Sequence, residues 1–190
     1  MSSTARGGER NISDYYQTPE YVIQEMFDEL NYGTDIFAGD KAILDPCAGG
    51  SKDNPMAYVE LLKQYGFRPY SIDIREDSLA EIKDDFLKVD FKGFEWDIII
   101  TNPPFALAME FIEKSLVSVK KGGYVIMLLR LNFFESQKRK EFFDKHMPIY
   151  TLVHHKRISF TPDGKTDSIA YAHFIWQKGN NLEYTKLKVI

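Results

Sequence analysis

Residues 94–111, FEWDIIITNPPFALAMEF, contain an apolar strand that runs directly into two prolines. The run WDIIIT predicts a buried strand, and the residues after the prolines have the apolar spacing of a helix. Pro103 and Pro104 have no backbone N–H group and a fixed φ angle, so the strand must end in a stiff turn. Asn102 and Phe105 flank this turn with an amide and a ring. One interpretation is a strand end with a helix start, since proline suits the first helical turn. The other is a rigid binding site.

The composition is that of one globular domain. The chain has 190 residues, of which 44% are hydrophobic and 27% charged, and its net charge is −4. This balance provides for a full core and gives no overall basic field for nucleic acid. No apolar run reaches the length of a membrane span, and the polar N-terminus lacks the apolar region of a secretory signal. The single cysteine, Cys47, suits a reducing compartment, so we expect a cytoplasmic protein.

The order of predicted elements indicates an α/β fold. A helix is expected from Pro19, with Thr18 as its N-cap, and predicted strands and helices then alternate along the chain. The strands are 41–45, 68–74, 96–101 and 124–131, with a minor one at 85–89, and the helices are 54–65, 78–83, 106–123 and 134–147. Two last strands, 149–160 and 168–178, form a hairpin. We expect a mostly parallel sheet between helical layers, a tail at 1–13 and one domain at 14–190.

Acidic residues and glycines follow the predicted strands. Asp45, Pro46, Cys47, Ala48, Gly49 and Gly50 come after the first strand, Asp73 ends the second, and Asp85 and Phe86 follow the acidic segment. Ligands of open parallel sheets bind beyond the carboxyl ends of the strands, so these residues predict a cofactor site at one edge. Each residue alone is more often a turn or a helix cap. The absence of GxGxxG and of a P-loop counts against NAD and ATP.

Together, ILDPCAGG, YSIDI, DDFL and TNPPF resemble the successive motifs of S-adenosylmethionine-dependent amino-methyltransferases. N6-adenine DNA methyltransferases are the most similar group, and DYYQTPE (14–20) resembles their N-terminal motif. The resemblance implies a class I methyltransferase (Rossmann-like) three-layer sandwich with a mostly parallel seven-stranded sheet and a C-terminal antiparallel hairpin strand. It also implies S-adenosylmethionine as the cofactor and DNA, or RNA, as the substrate.

The resemblance assigns roles to individual residues. Asp73 would bind the ribose hydroxyls, Asp85 the cofactor's adenine amine, and Thr18 the methionine carboxylate. The cofactor-binding set would be Tyr16, Thr18, Pro19, Asp45, Pro46, Ala48, Gly49, Asp73, Ile74, Asp85, Phe86 and Asn102. The catalytic set would be Asn102, Pro103, Pro104 and Phe105, and no metal is needed.

The turn suits methylation of an aromatic amine, whose lone pair is delocalised into its ring. The Asn102 oxygen and the Pro103 carbonyl can accept both N–H groups of such an amine and localise its lone pair. Phe105 can stack on a planar target that has left its duplex.

Other residues allow alternative interpretations. Cys47 follows Pro46 as the nucleophile of cytosine-C5 methyltransferases follows a proline, but it lies in another loop, so a small buried cysteine is the preferred interpretation. His154 and His155 point to opposite sides of a strand and cannot share a metal, so we expect a surface or hairpin role for them. The basic helix at 137–146 is interpreted as a solvated face.

The hairpin loop is a candidate substrate contact. Arg157, Phe160 and Lys165 interleave positive charge with a ring, which suits phosphate and bases. No segment remains for a separate target-recognition domain, so we expect loose specificity or help from a partner. Methylation of RNA or of a protein glutamine amide, and a catalytically silent cofactor-binding module, remain the alternatives.

Overall fold

The computed structural model describes residues 17–160, 166, 168–180 and 182–190. The predicted tail at 1–13, Tyr16 and Lys165 lie outside the described residues. The elements are α1 (Glu20–Gly33), β1 (Ile43–Asp45), α2 (Ala57–Gln64), β2 (Tyr70–Asp73), β3 (Ile82–Lys83), β4 (Trp96–Thr101), α3 (Ala108–Ser118), β5 (Val119–Arg130), α4 (Lys140–Lys145), β6 (Tyr150–Val153), β7 (Tyr171–Gln177) and β8 (Lys186–Val189). Short 3-10 turns occupy Phe105–Leu107, Leu131–Phe134 and Gln137–Arg139.

The described strands form one sheet in the order β3-β2-β1-β4-β5-β7-β6-β8. The first five in this order are parallel, and β7 is antiparallel to both β5 and β6. The expected α/β sheet with a C-terminal antiparallel strand is therefore confirmed. The strand order reverses between β1 and β4, and ligand sites of such sheets lie at this reversal.

The sheet has eight strands in the described part of the chain, so the expectation of seven was wrong. The additional strand is β8, which pairs in parallel with β6 at the sheet edge. All four of its residues, KLKV, are exposed, so it lacks the apolar pattern that announces a buried strand. Lysines on an edge strand also discourage pairing with other chains.

Alternate residues of the central strands face two helical layers. Ile98, Ile100 and Ile126 are buried with α1 and α2 on one side, and Ile99 and Val125 are buried with α3 on the other. This is the expected three-layer sandwich, and its two cores fix both faces of β4 and β5. The carboxyl end of β4 is therefore held rigidly.

Several predicted local elements differ from the structure. Pro19 occupies the N-cap of α1, and no side chain caps that helix, so the prediction of Thr18 as N-cap was wrong. The segment 78–83 is not helical and ends in β3, because Asp84 N–H bonds the Asp73 carbonyl at 3.1 Å and holds the segment along β2. Residues 86–88 form a turn where a minor strand was expected.

The boundary between α3 and β5 also lies earlier than expected. Val119 already pairs with Trp96, so the helix ends at Ser118 and the strand begins within the predicted helix. No helix in the described part of the chain has the length and apolarity needed to cross a membrane.

Candidate active site

The first element of the site is the Asp45 carboxyl group at the end of β1. Asp45 is 1% exposed, and its Oδ1 accepts the Cys47 N–H at 3.1 Å. Burial raises the pKa of Asp45 to about 7, Asp73 adds to the rise, and interactions with Thr101 and the Cys47 N–H oppose it. The Asp45 carboxyl group therefore lies buried at the carboxyl end of β1, where β1 meets β4, and its predicted cofactor contact stays a prediction.

The loop after Asp45 is tightly folded against its neighbours. Gly49 and Gly50 have φ angles of +64° and +78°, a region in which residues with a Cβ are strained. A Cβ at Gly50 would lie 2.7 Å from Met56 Cγ and 3.0 Å from Leu79 Cβ. Pro46 and Ala48 are buried beneath the same loop. The loop therefore needs glycine for its conformation and, at position 50, for space.

Asp73 lies beside this loop at the end of β2. Its Oδ2 accepts the Gly49 N–H at 2.7 Å, and its Oδ1 accepts the Arg75 N–H at 2.9 Å. A carboxylate has about four acceptor positions, so two remain for a ligand. Ile74, the next residue, is 63% exposed and offers an apolar surface at the same edge. The predicted ribose contact of Asp73 stays a prediction.

Asp85 and Phe86 occupy the turn after β3. The Asp85 carboxylate accepts the Leu87 N–H at 3.1 Å and pairs with Lys88 Nζ at 3.0 Å. Phe86 is 2% exposed, and its ring packs on Phe111 with centroids 5.3 Å apart. The Phe86 side chain thus anchors the turn in the core, and the predicted cofactor contacts of both residues stay predictions.

Asn102 follows β4 directly, and only one of its two side-chain polar atoms is hydrogen-bonded to the described residues. Its Nδ2 donates to Thr18 Oγ1 at 3.1 Å, while its Oδ1 is buried and has no hydrogen-bond partner in the described part of the chain. A buried acceptor without a partner costs about 1–3 kcal/mol. Such a group at a strand end is an acceptor that no donor of the described residues engages.

Pro103 and Pro104 form the rest of the turn between β4 and α3. Pro103 is buried, Pro104 is exposed, and the Pro104 carbonyl accepts the Leu107 N–H at 2.9 Å as α3 approaches. Thr18 is 4% exposed beside Asn102, and the Pro19 carbonyl accepts the Val22 N–H at 3.1 Å in the first turn of α1. The start of α1 thus covers the NPPF turn, and the predicted cofactor contacts of Thr18 and Pro19 stay predictions.

A cavity with positive charge adjoins Phe105. The cavity has a volume of about 140 Å³, and Phe105, Arg130, Asn132 and Arg139 are among its lining residues. The Arg130 guanidinium lies 4.9 Å from the Phe105 ring centroid, and its Nε is buried without a hydrogen-bond partner in the described residues. Arg139, by contrast, donates to the Phe133 carbonyl at 2.7 Å. Arg130 therefore has a buried Nε donor that no described residue engages, whereas the Nε of Arg139 is bonded.

The described ends of the β6–β7 connection lie at the same edge. The end of β6 pairs with the start of β7, and Tyr171 at the start of β7 pairs with Arg130 at the carboxyl end of β5. The Tyr171 ring contacts both Phe105 and Phe160, with centroid distances of 5.7 and 5.1 Å. The structure therefore places Phe160 in one cluster with Phe105. Arg157 is exposed nearby in sequence.

The sequence analysis missed Arg130. This residue ends β5, so the rule that ligands bind beyond the carboxyl ends of the strands would have identified it, as it did for the other strands. The sequence analysis also misplaced His154, for which a surface role was wrong. His154 is 5% exposed and bonds His173, since the residue after β6 turns inward toward β7.

Cys47 is half-buried, and burial and the neighbouring carboxylates of Asp73 and Asp45 raise its pKa, so the thiol stays protonated. Among the described residues, no cluster of three metal-ligating side chains occurs.

No protein-family model and no curated protein matches this sequence. Solved structures match the fold. A Listeria monocytogenes protein assigned as a class I S-adenosylmethionine-dependent methyltransferase has a TM-score of 0.56 at 14% identity, with 90% of this chain and 62% of that one covered. The M protein of the type I restriction enzyme EcoKI has a TM-score of 0.61 at 14% identity, covering 90% of this chain and 46% of that one.

A third match is to a protein of Pyrococcus horikoshii assigned as an RNA methyltransferase. Its TM-score is 0.61 at 16% identity, and 87% of this chain and 88% of that one are covered. The chain spans less than two thirds of the length of the Listeria and EcoKI structures. The fold is thus that of the class I methyltransferases, and at these identities the matches establish the fold alone.

Proposed function

We propose that this chain is an S-adenosylmethionine-dependent methyltransferase that transfers a methyl group to the exocyclic N6 amine of adenine in DNA. The observation that carries the proposal is the buried Oδ1 of Asn102 at the strand-order reversal, which has no hydrogen-bond partner among the described residues. An acceptor in that place is costly for the fold and useful for binding an N–H donor.

The residues at the edge fit this cofactor. Asp73 has acceptor positions left for hydroxyl groups, and the exposed Ile74 beside it can pack on a purine ring. Gly49 carries no side chain, so a ligand can approach the backbone there, whereas the space beside Gly50 is filled by Met56 and Leu79. Asp85 offers a partly exposed carboxylate near the end of β3. When bound, S-adenosylmethionine supplies an activated methyl group.

The chain itself contributes orientation and electrostatics. Asn102 Oδ1 and the Pro103 carbonyl accept the two N–H groups of the target amine, and the prolines keep both acceptors fixed. Each well-placed acceptor contributes on the order of a few kcal/mol to transition-state stabilisation. Phe105 stacks on the ring that carries the amine and holds it against the acceptors.

The surroundings of Phe105 favour a nucleic-acid substrate. The Arg130 guanidinium, the ring of Phe105 and the adjacent cavity combine a cation with a stacking surface. The hairpin residues Arg157 and Phe160 extend this surface, and Lys165 is proposed to do so as well. The similar structures include the M protein of a restriction enzyme and an RNA methyltransferase, so both nucleic acids are candidates.

The test is mass spectrometry of nucleosides from cells that express the chain, with Asn102→Ala as the variant. N6-methyladenine in DNA should rise with the wild type and stay at background with Asn102→Ala. Asn180→Ala is a matched control, because its amide bonds Gln177 beyond β7, at the opposite sheet edge. Accumulation that persists in Asn102→Ala would overturn the assignment of the acceptor.

The substrate alternatives give different results in the same cells. Methyladenosine confined to RNA would favour RNA, and methylglutamine in digested protein would favour a protein amide. Binding of the cofactor without methylation of DNA, RNA or protein would favour the silent module.

A further inference from the structure

The cavity beside Phe105 gathers positive charge without an acid. It has a volume of about 140 Å³, and Arg130, Asn132 and Arg139 are among the residues that line it. None of its described lining residues is acidic, although the whole chain has a net charge of −4. Two guanidinium groups and an amide in one small cavity offer hydrogen-bond donors and positive charge to an anion.

Each of the two guanidinium groups lies over an aromatic ring. Arg130 Cζ is 4.9 Å from the centroid of the Phe105 ring. Arg139 Cζ is 4.5 Å from the centroid of the Phe133 ring. A ring attracts the face of a guanidinium, so the N–H groups at its edge stay available for hydrogen bonds. Phe133 is 7% exposed and Phe105 packs against Tyr171, so both cations are positioned before any ligand arrives.

The two arginines differ in what their donors do. Arg139 Nε donates to the Phe133 carbonyl at 2.7 Å, and its Nη2 donates to the Glu135 carbonyl at 3.1 Å. Arg139 thus ties together the turn that follows β5. The Nε of Arg130 is buried and has no hydrogen-bond partner among the described residues. A buried donor without a partner is costly in a folded protein, so Arg130 is the cation whose donors suit a ligand.

A phosphate group fits these donors. The planar fork of a guanidinium bonds two oxygens of a phosphate at once, and a hydrogen bond between charged groups is stronger than a neutral one. The apolar side of the cavity includes the ring of Phe105, on which the target base stacks in the proposed function. In a DNA strand each phosphate is joined to its base through one sugar. A base on Phe105 therefore brings a phosphate to the neighbouring cavity.

We propose that this cavity is a subsite for the phosphodiester group next to the target adenosine, and that Arg130 binds this group. The inference rests on the proposed function, because it starts from a target base on Phe105. It also narrows the substrate class. A protein glutamine carries no anion beside its amide, and it would leave the Arg130 donor unsatisfied. The subsite therefore selects a nucleic-acid strand over a protein.

The geometry allows Arg130 one other role, which is to hold the ring of Phe105 in place. The two roles differ in their dependence on the charge of the ligand. A residue that only orients the ring contributes equally to the binding of a charged and of a neutral strand. A residue that binds the phosphate contributes most while the phosphate is charged. The experiment must therefore change the charge of a single linkage.

The test uses a trinucleotide with deoxyadenosine between two thymidines, which has only the two linkages that flank the adenosine. Methylphosphonate groups, in which a methyl replaces the charged oxygen, neutralise the 5′ linkage, the 3′ linkage or both. The affinities are measured without cofactor, by competition with a fluorescent oligonucleotide, so no methyl transfer is involved. For the wild type, neutralising one of the two linkages should weaken binding about tenfold, and neutralising the other less than about threefold.

Arg130→Gln should remove this difference between the linkages. Neutralising the sensitive linkage should then change the affinity by less than about twofold, because its charged partner is gone. Arg68→Gln is the matched control, since Arg68 is an exposed arginine just before β2, at the opposite edge of the sheet. This variant should keep the wild-type pattern of linkages.

Two results would overturn the inference. One is an undiminished loss at the sensitive linkage in Arg130→Gln. The other is a wild type that binds the charged and the neutral trinucleotides equally, or that loses affinity equally at both linkages. The second comparison needs no variant, so it decides even if Arg130→Gln fails to fold. Both results are separate from failure of the proposed function, which is continued methylation in cells that express Asn102→Ala.

Discussion

Replacing Asp45 by asparagine should stabilise the folded chain above pH 7, with a gain that shrinks as the pH falls. The carboxyl group is 1% exposed, and burial raises its pKa from 3.8 to about 7. Because the folded-state pKa is raised, the contribution of Asp45 is fully present below about pH 3.8 and is lost as the pH rises through about 7. Asparagine has no such titration.

The size of the effect follows from the two pKa values. The difference between 3.8 and about 7 corresponds to about 4 kcal/mol of unfolding free energy at pH 8, and this is an upper bound. The amide keeps an oxygen for the Cys47 N–H, and its nitrogen can donate to the neighbouring Thr101 Oγ1. We expect a measured gain of about 1–3 kcal/mol at pH 8.

Urea unfolding from pH 5 to pH 9 measures this gain as the difference between variant and wild type. The titrations of His154 and His173 are common to both proteins and cancel in that difference. Asp97→Asn is a control of opposite sign: burial raises the pKa of Asp97, but the Ala42 N–H at 2.9 Å and Lys120 outweigh it and lower that pKa. Asp97→Asn should therefore lose stability at neutral pH. A difference for Asp45→Asn that is negative, or constant with pH, would refute the reasoning.

Two further predictions concern the loop and the cavity. Gly50→Ala should destabilise the fold by more than Gly66→Ala. Both variants place alanine in a left-handed backbone conformation, which costs about 1–2 kcal/mol. Only at position 50 does the new Cβ also clash with a neighbour, Met56 Cγ at 2.7 Å. Thermal unfolding measures the difference, since a loss of 1 kcal/mol lowers Tm by about 2–4 °C in a domain of this size. Equal shifts of Tm for the two variants would contradict the prediction. Arg130→Gln should weaken oligonucleotide binding and flatten its salt dependence by about one unit of slope, whereas Lys138→Gln, at an exposed position, should change both less.

The parts of the fold that the sequence predicts are those with a local signal. The run at 96–101 is apolar on both faces, so a central parallel strand was predictable, and the prolines after it fixed where it ends. The acids at the strand ends share one edge because parallel strands bring their carboxyl ends together. This is why Asp45, Asp73 and Asn102 could be grouped before any coordinates.

The parts that escaped prediction depend on distant pairing. β8 is exposed throughout and exists because β6 offers it an edge, which no local pattern reveals. His154 looked exposed beside His155 and Lys156, yet it is buried because His173 lies opposite it, 19 residues later.

Three features that cost stability lie together at one edge of the sheet. Asp45 is a buried acid with a perturbed pKa, Asn102 has a buried oxygen without a partner in the described part of the chain, and Gly49 and Gly50 hold a strained loop. Each feature costs stability, and each lies at the carboxyl ends of the strands around the order reversal. Buried side-chain atoms without a hydrogen-bond partner also occur elsewhere in the described part of the chain, at Trp96 Nε1 and Ser115 Oγ. The combination of a buried acid, an amide oxygen without a partner and a strained loop nevertheless occurs at this edge, and such a combination is typical of a binding site. The Asn102 oxygen is the most specific of these features, because it is a buried acceptor to which no donor of the described residues bonds.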